Sequence, residues 1–313
     1  MPEPPIAGEV ARQLFLRSLG SVGTVTSAAS GLASQLARVM RDARFEEGET
    51  MFAAGAPVSE VFFLARGEAE MRAPGLAPWR FAAPAVLGAI DALHGRPHQR
   101  DAVATTTVHA LALRHEDWFD ALEEHFDVAR ENLERIATDL VRLHRELAPA
   151  GGFGAAEPDT GPAVSGLNVV ERMLLLREVP SFAVATVQTL ARLADVAEEV
   201  ELPAGRRFHE AGEPSTVVHV VASGLVEVED PSSSLVARFG RARPVGGAAA
   251  LGVPRRAFHA KAVAPSVLLA LRREDLHDVM EDHFDLTRSL MIGLAAERES
   301  AMALRAAMTS PSA

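Results

Sequence analysis

Apolar residues in this chain recur first at helical spacing, then at strand spacing, then at helical spacing again, and the whole succession happens twice. Val10, Leu14, Phe15 and Leu19, then Leu32, Leu36, Val39 and Met40, fall at steps of three and four, which predicts helix over residues 7–43. Glycines and serines between Gly20 and Gly31 divide that helix in two. From Phe45 the pattern shortens to β-prone pieces punctuated by Gly48, Gly55 and Gly67, the signature of a compact antiparallel roll. Strand character returns over Val103–Arg114. Trp118, Leu122, Phe126, Ala129, Leu133, Ile136, Leu140 and Leu143 then form one long helical stripe that ends at Pro149.

The Gly- and Pro-rich stretch that follows has little to bury and reads as a linker. The expected division is a first domain over 1–147, a linker over 148–166 and a second domain over 167–313. The second begins with a helix over Leu167–Ala197. Gly48, Gly55 and Gly67 then reappear as Gly205, Gly212 and Gly224, each 157 residues on. After one extra residue the offset is 158 and holds: Gly88 matches Gly246, Leu93 matches Leu251 and Ala104 matches Ala262. LALRHED at 111–117 matches LALRRED at 269–275, and HFD at 125–127 matches HFD at 283–285. Such a sustained offset marks a tandem duplication of a domain-sized unit.

Composition narrows the possibilities. A chain of 313 residues that is 48% hydrophobic can bury two cores. It has no Cys, which excludes disulfides, thiolate catalysis and zinc–sulfur sites. The N-terminal residues lack a secretory pattern, and no run approaches the roughly 18 apolar residues of a membrane span. The expectation is a cytoplasmic protein with no membrane association. A net charge of −11 argues against non-specific nucleic-acid binding. The last stripe (Leu286, Leu290, Ile292, Leu294, Met302, Leu304) runs to the end of the sequence at Ala313, so no helix-turn-helix and no direct DNA binding are expected.

The chemistry concentrates in GAIDALHGRPHQRDAVA at 88–104 and GGAAALGVPRRAFHAKA at 246–262. Each has a glycine and small residues, a short helical turn and a loop with basic residues, a way to bring backbone N–H groups and an Arg to an anion. The glycine spacing together with this stretch resembles the cyclic nucleotide-binding domain, the family of catabolite activator-type regulators and of the regulatory subunits of cAMP-dependent kinase. The resemblance covers roughly 32–147 and 168–307. It implies an α+β fold: two tandem β-rolls of the double-stranded β-helix or jelly-roll kind, each eight-stranded, flanked by helices and holding a phosphate-binding cassette.

In the family the cassette reads approximately Gly-Glu-Leu-Ala-Leu-Leu, a loop, then Arg-Ala-Ala. Its Glu accepts from the ribose 2′-hydroxyl and its Arg pairs with the cyclic phosphate. Carried onto this chain, the resemblance gives Gly246, Gly247, Ala248, Arg255, Arg256 and Ala257 as ligand-binding residues of the second cassette. In the first they are Gly88, Ala89, Ile90, His98 and Arg100, with Arg96 close by. The Glu position is Ala89 or Gly247, and the Arg position is His98 in the first copy and Arg256 in the second. Loss of the hydroxyl acceptor costs about 1–3 kcal/mol. The ligand the resemblance implies is a cyclic nucleotide, cAMP or cGMP, bound better by the second copy; no other cofactor follows.

The plain alternative is that Arg255 and Arg256 are a solvated loop pair and GGAAA a tight turn. Other constellations are weaker. His125, Asp127, His283 and Asp285 fit helix starts better than metal ligation. His109, His115, His209 and His219 lack the His-x-His spacing of metal-binding cupins, and no nucleotide P-loop or Gly-x-Ser-x-Gly elbow occurs. The chain reads as non-enzymatic, with an enzyme that borrows the roll as the least favoured alternative. Two functional readings stand. One is a tandem sensor or adaptor that passes its signal to a protein partner through Val128–Leu147 and Leu286–Ala307, helices whose stripes would also allow a homodimer. The other is a ligand-free scaffold with vestigial pockets.

Overall fold

The computed structural model describes residues 36–76, 78–147, 164–232 and 236–309, with the side chains of 236 and 306–309 left aside. The helical expectation over 7–35 and most of the 148–166 linker lie outside the described residues. The chain falls into two compact units that meet in sequence at Ala129 and Arg130.

The first unit contains β1 (Arg41–Phe45), β2 (Thr50–Phe52), β3 (Glu60–Arg66), β4 (Glu68–Arg72), β5 (Trp79–Ala82), β6 (Ala85–Leu87), α1 (Ala89–His94), β7 (Asp101–Ala104), β8 (Val108–Arg114) and α2 (His115–Glu124). Two antiparallel four-stranded sheets, ordered β1-β8-β3-β6 and β2-β7-β4-β5, form the roll. Their pairing explains the unbroken apolar run of β3. Phe62 and Leu64 face the roll interior with Phe52, Leu87 and Ala102, while Val61 and Phe63 face the helices with Leu111, Leu113 and Ala121. A strand buried on both faces has no polar alternation. Residues 41–43, read as the end of a helix, begin β1, because Ala43 pairs with Ala110 at the sheet edge.

The second unit repeats this order. After α3 (Phe126–Leu147), which starts in the first unit, come α4 (Val169–Glu178), a 3-10 turn (Pro180–Phe182) and α5 (Val187–Val196). The strands are β9 (Glu198–Leu202), β10 (Arg207–His209), β11 (Val217–Ser223), β12 (Val226–Glu229), β13 (Val236–Phe239) and β14 (Pro244–Val245). Then come α6 (Gly247–Gly252), β15 (His259–Ala262), β16 (Ser266–Arg272), α7 (Arg273–Asp282) and α8 (Phe284–Thr309). The sheets run β9-β16-β11-β14 and β10-β15-β12-β13, strand for strand the topology of the first unit. Register also places the one extra residue. Ala69 pairs with Phe81, and its counterpart Val226 pairs with Phe239, so the offset changes from 157 to 158 within the β12–β13 hairpin.

Two helices expected to be continuous are broken. The stripe after His115 divides at His125, whose φ of −125° and ψ of 69° leave the helix while its N–H still bonds Ala121 O. His283 does the same between α7 and α8. One non-helical residue preserves the three-and-four spacing on either side, so periodicity does not reveal it. The expected helix over 167–197 is two helices and a 3-10 turn. Asn168 starts α4 through a capping box with Glu171.

Asp285, in the first turn of α8, turns its carboxylate to the start of α5. It accepts from Thr186 N at 2.7 Å and from Thr189 Oγ1 at 2.8 and 2.9 Å. We expect Asp285→Ala to lower the urea unfolding free energy by about 1–2 kcal/mol, since capping donors at α5 lose their acceptor. An unchanged midpoint would show that water replaces the carboxylate there.

The stripes of the long helices are covered over most of their length, with Leu304 near the end of α8 exposed. Leu133, Ala137, Leu140 and Val141 of α3 and Leu286, Leu290, Met291 and Leu294 of α8 are buried. Within the second unit α3 sits against the loop end of α6. Thr138 Oγ1 donates to Gly252 O at 2.5 Å, and a Cβ on Gly252 would come within 2.4 Å of Thr138 N. Among the described residues no helix is long and apolar enough to cross a membrane.

Candidate anion-binding site

The loop after each cassette helix is pinned to the same turn by the same pair of main-chain bonds. In the first unit His98 N donates to Ala56 O (3.0 Å) and Gly55 N to His98 O (2.8 Å). In the second, Arg256 N donates to Glu213 O (2.8 Å) and Gly212 N to Arg256 O (2.9 Å). His98 and Arg256 therefore start from equivalent backbone positions, and the difference between the cassettes lies in their side chains.

In the first unit His98 is buried and stacks on Phe52, with ring centroids 3.8 Å apart and planes 15° from parallel. Phe52 in turn stacks on Phe62 at 6.2 Å. The Nδ1 atom of His98 lies 3.4 Å from Asp91, a buried carboxylate in α1 that also accepts from Arg96 Nε (3.0 Å) and Gln99 N (3.2 Å). Burial opposes ionisation of Asp91, but these contacts outweigh it and hold its carboxyl below the usual range. Arg100 is also buried, its guanidinium 3.9 Å over the Trp79 ring. Gly88 caps α1 and Ala89 and Ile90 open it, half-buried and without an acceptor group. Aromatic stacking thus closes the interior of this roll around the cassette.

The second unit fills the same places with polar groups. Phe52 is replaced by His209, Phe62 by His219, His98 by Arg256, and Trp79, at its hairpin register, by Ala237. Arg256 is only 8% exposed. Its Nη2 donates to Val217 O at 2.9 Å, and its Nη1 lies 3.0 Å from His209 Nδ1. The other nitrogen of His209, Nε2, is 2.9 Å from His219 Nδ1. Gly246 leaves the room, since a Cβ there would stand 2.7 Å from Arg256 Nη1. Gly247 and Ala248 open α6, and Ala257 follows Arg256 half-buried. Arg255 is exposed and donates to Gly212 O (2.7 Å), so the alternative of a solvated pair holds for one surface Arg and not for the interior Arg256.

The protons in this chain can be placed by elimination. A guanidinium only donates, so His209 Nδ1 accepts and its proton sits on Nε2. His219 Nδ1 then accepts, and its own proton is on Nε2. Both rings are neutral. Burial first, then the Arg256 charge and His219, push His209 down to about 2; burial and Arg256 push His219 down to about 4. Burial lowers Arg256 to about 10, leaving it charged at neutral pH. Among the described residues no carboxylate pairs with it; Glu213 acts only at longer range.

Arg256, Gly246 and His98 lie at the cassettes, whereas His209 and His219 emerge only in three dimensions. The signal for them was internal: Phe52 and Phe62 become histidines at the constant offset of 157. Among the described residues, no group of three or more His, Asp or Glu side chains is arranged to hold a metal ion.

The family model described as cyclic nucleotide-binding domain matches residues 42–125 and again 199–283, spanning both rolls with their cassettes. The chain belongs to the cyclic nucleotide-binding domain family. No curated protein matches its sequence. Three solved structures similar to this tandem of cyclic nucleotide-binding domains illustrate the range. The regulatory subunit of a cAMP-independent protein kinase A from Trypanosoma brucei is 15% identical, with 93% of this chain and 89% of that chain covered and a TM-score of 0.35. The regulatory domain of Toxoplasma gondii PKA with cAMP is 12% identical over 92% and 97%, with a TM-score of 0.37. The N-terminal domain of a transcriptional regulator from Streptomyces coelicolor is 24% identical over 40% and 92%, also with a TM-score of 0.37.

Proposed function

We propose that this chain is a non-enzymatic, cytoplasmic regulatory protein whose second cyclic nucleotide-binding domain receives a phosphate-bearing ligand, a cyclic nucleotide, on Arg256, and whose first serves as a closed structural roll. One observation carries the reading: Arg256 is a buried guanidinium at the cassette position, held by a neutral ring and a carbonyl and, among the described residues, bonded to no carboxylate. A buried cation without a counter-ion is costly, and an anion removes that cost. The fit is partial, because Gly247 offers no acceptor for a ribose hydroxyl. The signal passes to a protein partner. Val170 and Leu174, one turn apart and both exposed on α4, support a contact there; Leu133 and Leu140 of α3 and Leu286, Leu290 and Leu294 of α8 are buried.

Titration calorimetry with cAMP and cGMP tests the reading. The expected result is one site per chain, with Arg256→Ala weakening binding by about 100-fold, the worth of a charge-assisted bond to a phosphate. Replacing His98 by Ala is expected to leave that affinity in place. Silence from the folded wild-type chain would remove the reading. It would favour the second one, a ligand-free scaffold, for which the supporting observation is that Arg256 already has partners within its own chain.

A further inference from the structure

His209 and His219 are not needed to hold Arg256 in place, since the carbonyl of Val217 already does so. The first roll places phenylalanines at both positions and folds to the same topology. Two imidazoles in series behind a buried cation make a different device. Their present protonation is imposed by Arg256: its Nη1 needs an acceptor, and His209 Nδ1 supplies it. A phosphate at Arg256 offers that N–H a stronger, charged acceptor. His209 Nδ1 then loses its donor while an anion arrives beside it.

We infer that phosphate binding in the second roll is coupled to proton uptake, with one solvent proton entering the His209–His219 pair for each anion bound. This rests on the reading of Arg256 given above and adds two residues to that site. The proton comes to His209 Nδ1 and is shared with His219 through the 2.9 Å contact; no covalent bond changes. Arg256 and the singly protonated pair together carry two positive charges. The site therefore suits a ligand with two negative charges, a phosphomonoester, at least as well as a cyclic phosphodiester with one.

The groups that face the pair are few. Arg256 approaches from the cassette loop, and Phe208 lies 4.6 Å from the His209 ring and 5.1 Å from the His219 ring. Across the sheet His209 pairs with Ala260, an uncharged neighbour. Glu213, from the turn before β11, and Arg273, at the start of α7, act on Arg256 with opposite signs. None of these supplies a carboxylate bonded to either imidazole, so the anion itself is the group that makes a charged histidine favourable.

The experiment is calorimetric titration of the full chain with cAMP and with 5′-AMP, at pH 6 and pH 8, each in two buffers of different ionisation enthalpy. The expected result is heat that depends on the buffer, with uptake between half a proton and one proton, larger for 5′-AMP. Affinity should rise toward low pH by up to about tenfold per unit, the limit for one linked proton. His209→Gln combined with His219→Gln keeps polar side chains that cannot take the proton, and the uptake should vanish.

Ring nitrogen shifts of the wild-type chain give a second readout that needs no variant. Both histidines should be neutral Nε2–H tautomers alone, and one should become an imidazolium with saturating 5′-AMP. Binding that needs Arg256 but is independent of buffer, with two neutral rings, would overturn the coupling and leave the proposed function standing. Uptake that persists in the double variant would also overturn it, and absence of binding by either nucleotide would remove both.

Discussion

Acidification from pH 7 to pH 5 should cost the folded chain about 3–4 kcal/mol through His209 and His219 alone. Both have folded-state pKa values, about 2 and about 4, below the ordinary histidine value of 6.5. Below pH 6.5 the unfolded chain therefore binds protons that the folded chain refuses. Stability is fully present above 6.5 and is lost as the pH falls toward the folded values. Urea midpoints measured at half-unit steps would show it. A flat profile from pH 7 to 5 would mean that the pair is already hydrated.

A second large effect is expected at the glycine that follows the third strand of each roll. Gly67 and Gly224 have φ of 90° and 89°, in the left-handed region where a side chain costs about 1–2 kcal/mol. The space around them is also taken. A Cβ on Gly67 would lie 2.4 Å from Thr107 O, and one on Gly224 would lie 2.5 Å from Pro265 O and 2.7 Å from Ser266 Cα. These obstacles are backbone or its immediate neighbourhood, so they yield only if the β7–β8 or β15–β16 connection moves. Gly67→Ala and Gly224→Ala should each lose about 3 kcal/mol or more, against about 1–2 kcal/mol for Ala at an unobstructed left-handed glycine. Gly48, with nothing within 4 Å of its would-be Cβ, is the internal comparison. Equal losses at Gly48 and Gly67 would show that torsion, and not crowding, sets the value.

These two effects also separate what the residues announced from what they concealed. The duplication was visible because turn glycines are fixed by backbone torsion, and torsional needs survive when side chains drift. Gly67 and Gly224 kept their spacing for that reason. Helix ends were less visible, since a single residue such as His125 can leave the helix without disturbing the apolar steps around it. The cassette was visible in half. Arg256 could be singled out by its type and place, but a strand residue such as His219 reads as an ordinary half-buried position until the roll curls it toward His209. Strand alternation says which face a residue takes and nothing of what waits across the interior. Comparing the copies residue by residue closes part of that gap, because Phe52 and Phe62 show what the fold needs at those points and the histidines show what it does not.

The seat of Thr138 on Gly252 has a mechanical consequence. Where two main chains touch with no side chain between them, the joint has no compliant layer. A displacement of α6 would therefore meet α3 directly, with nothing soft between the two to absorb it.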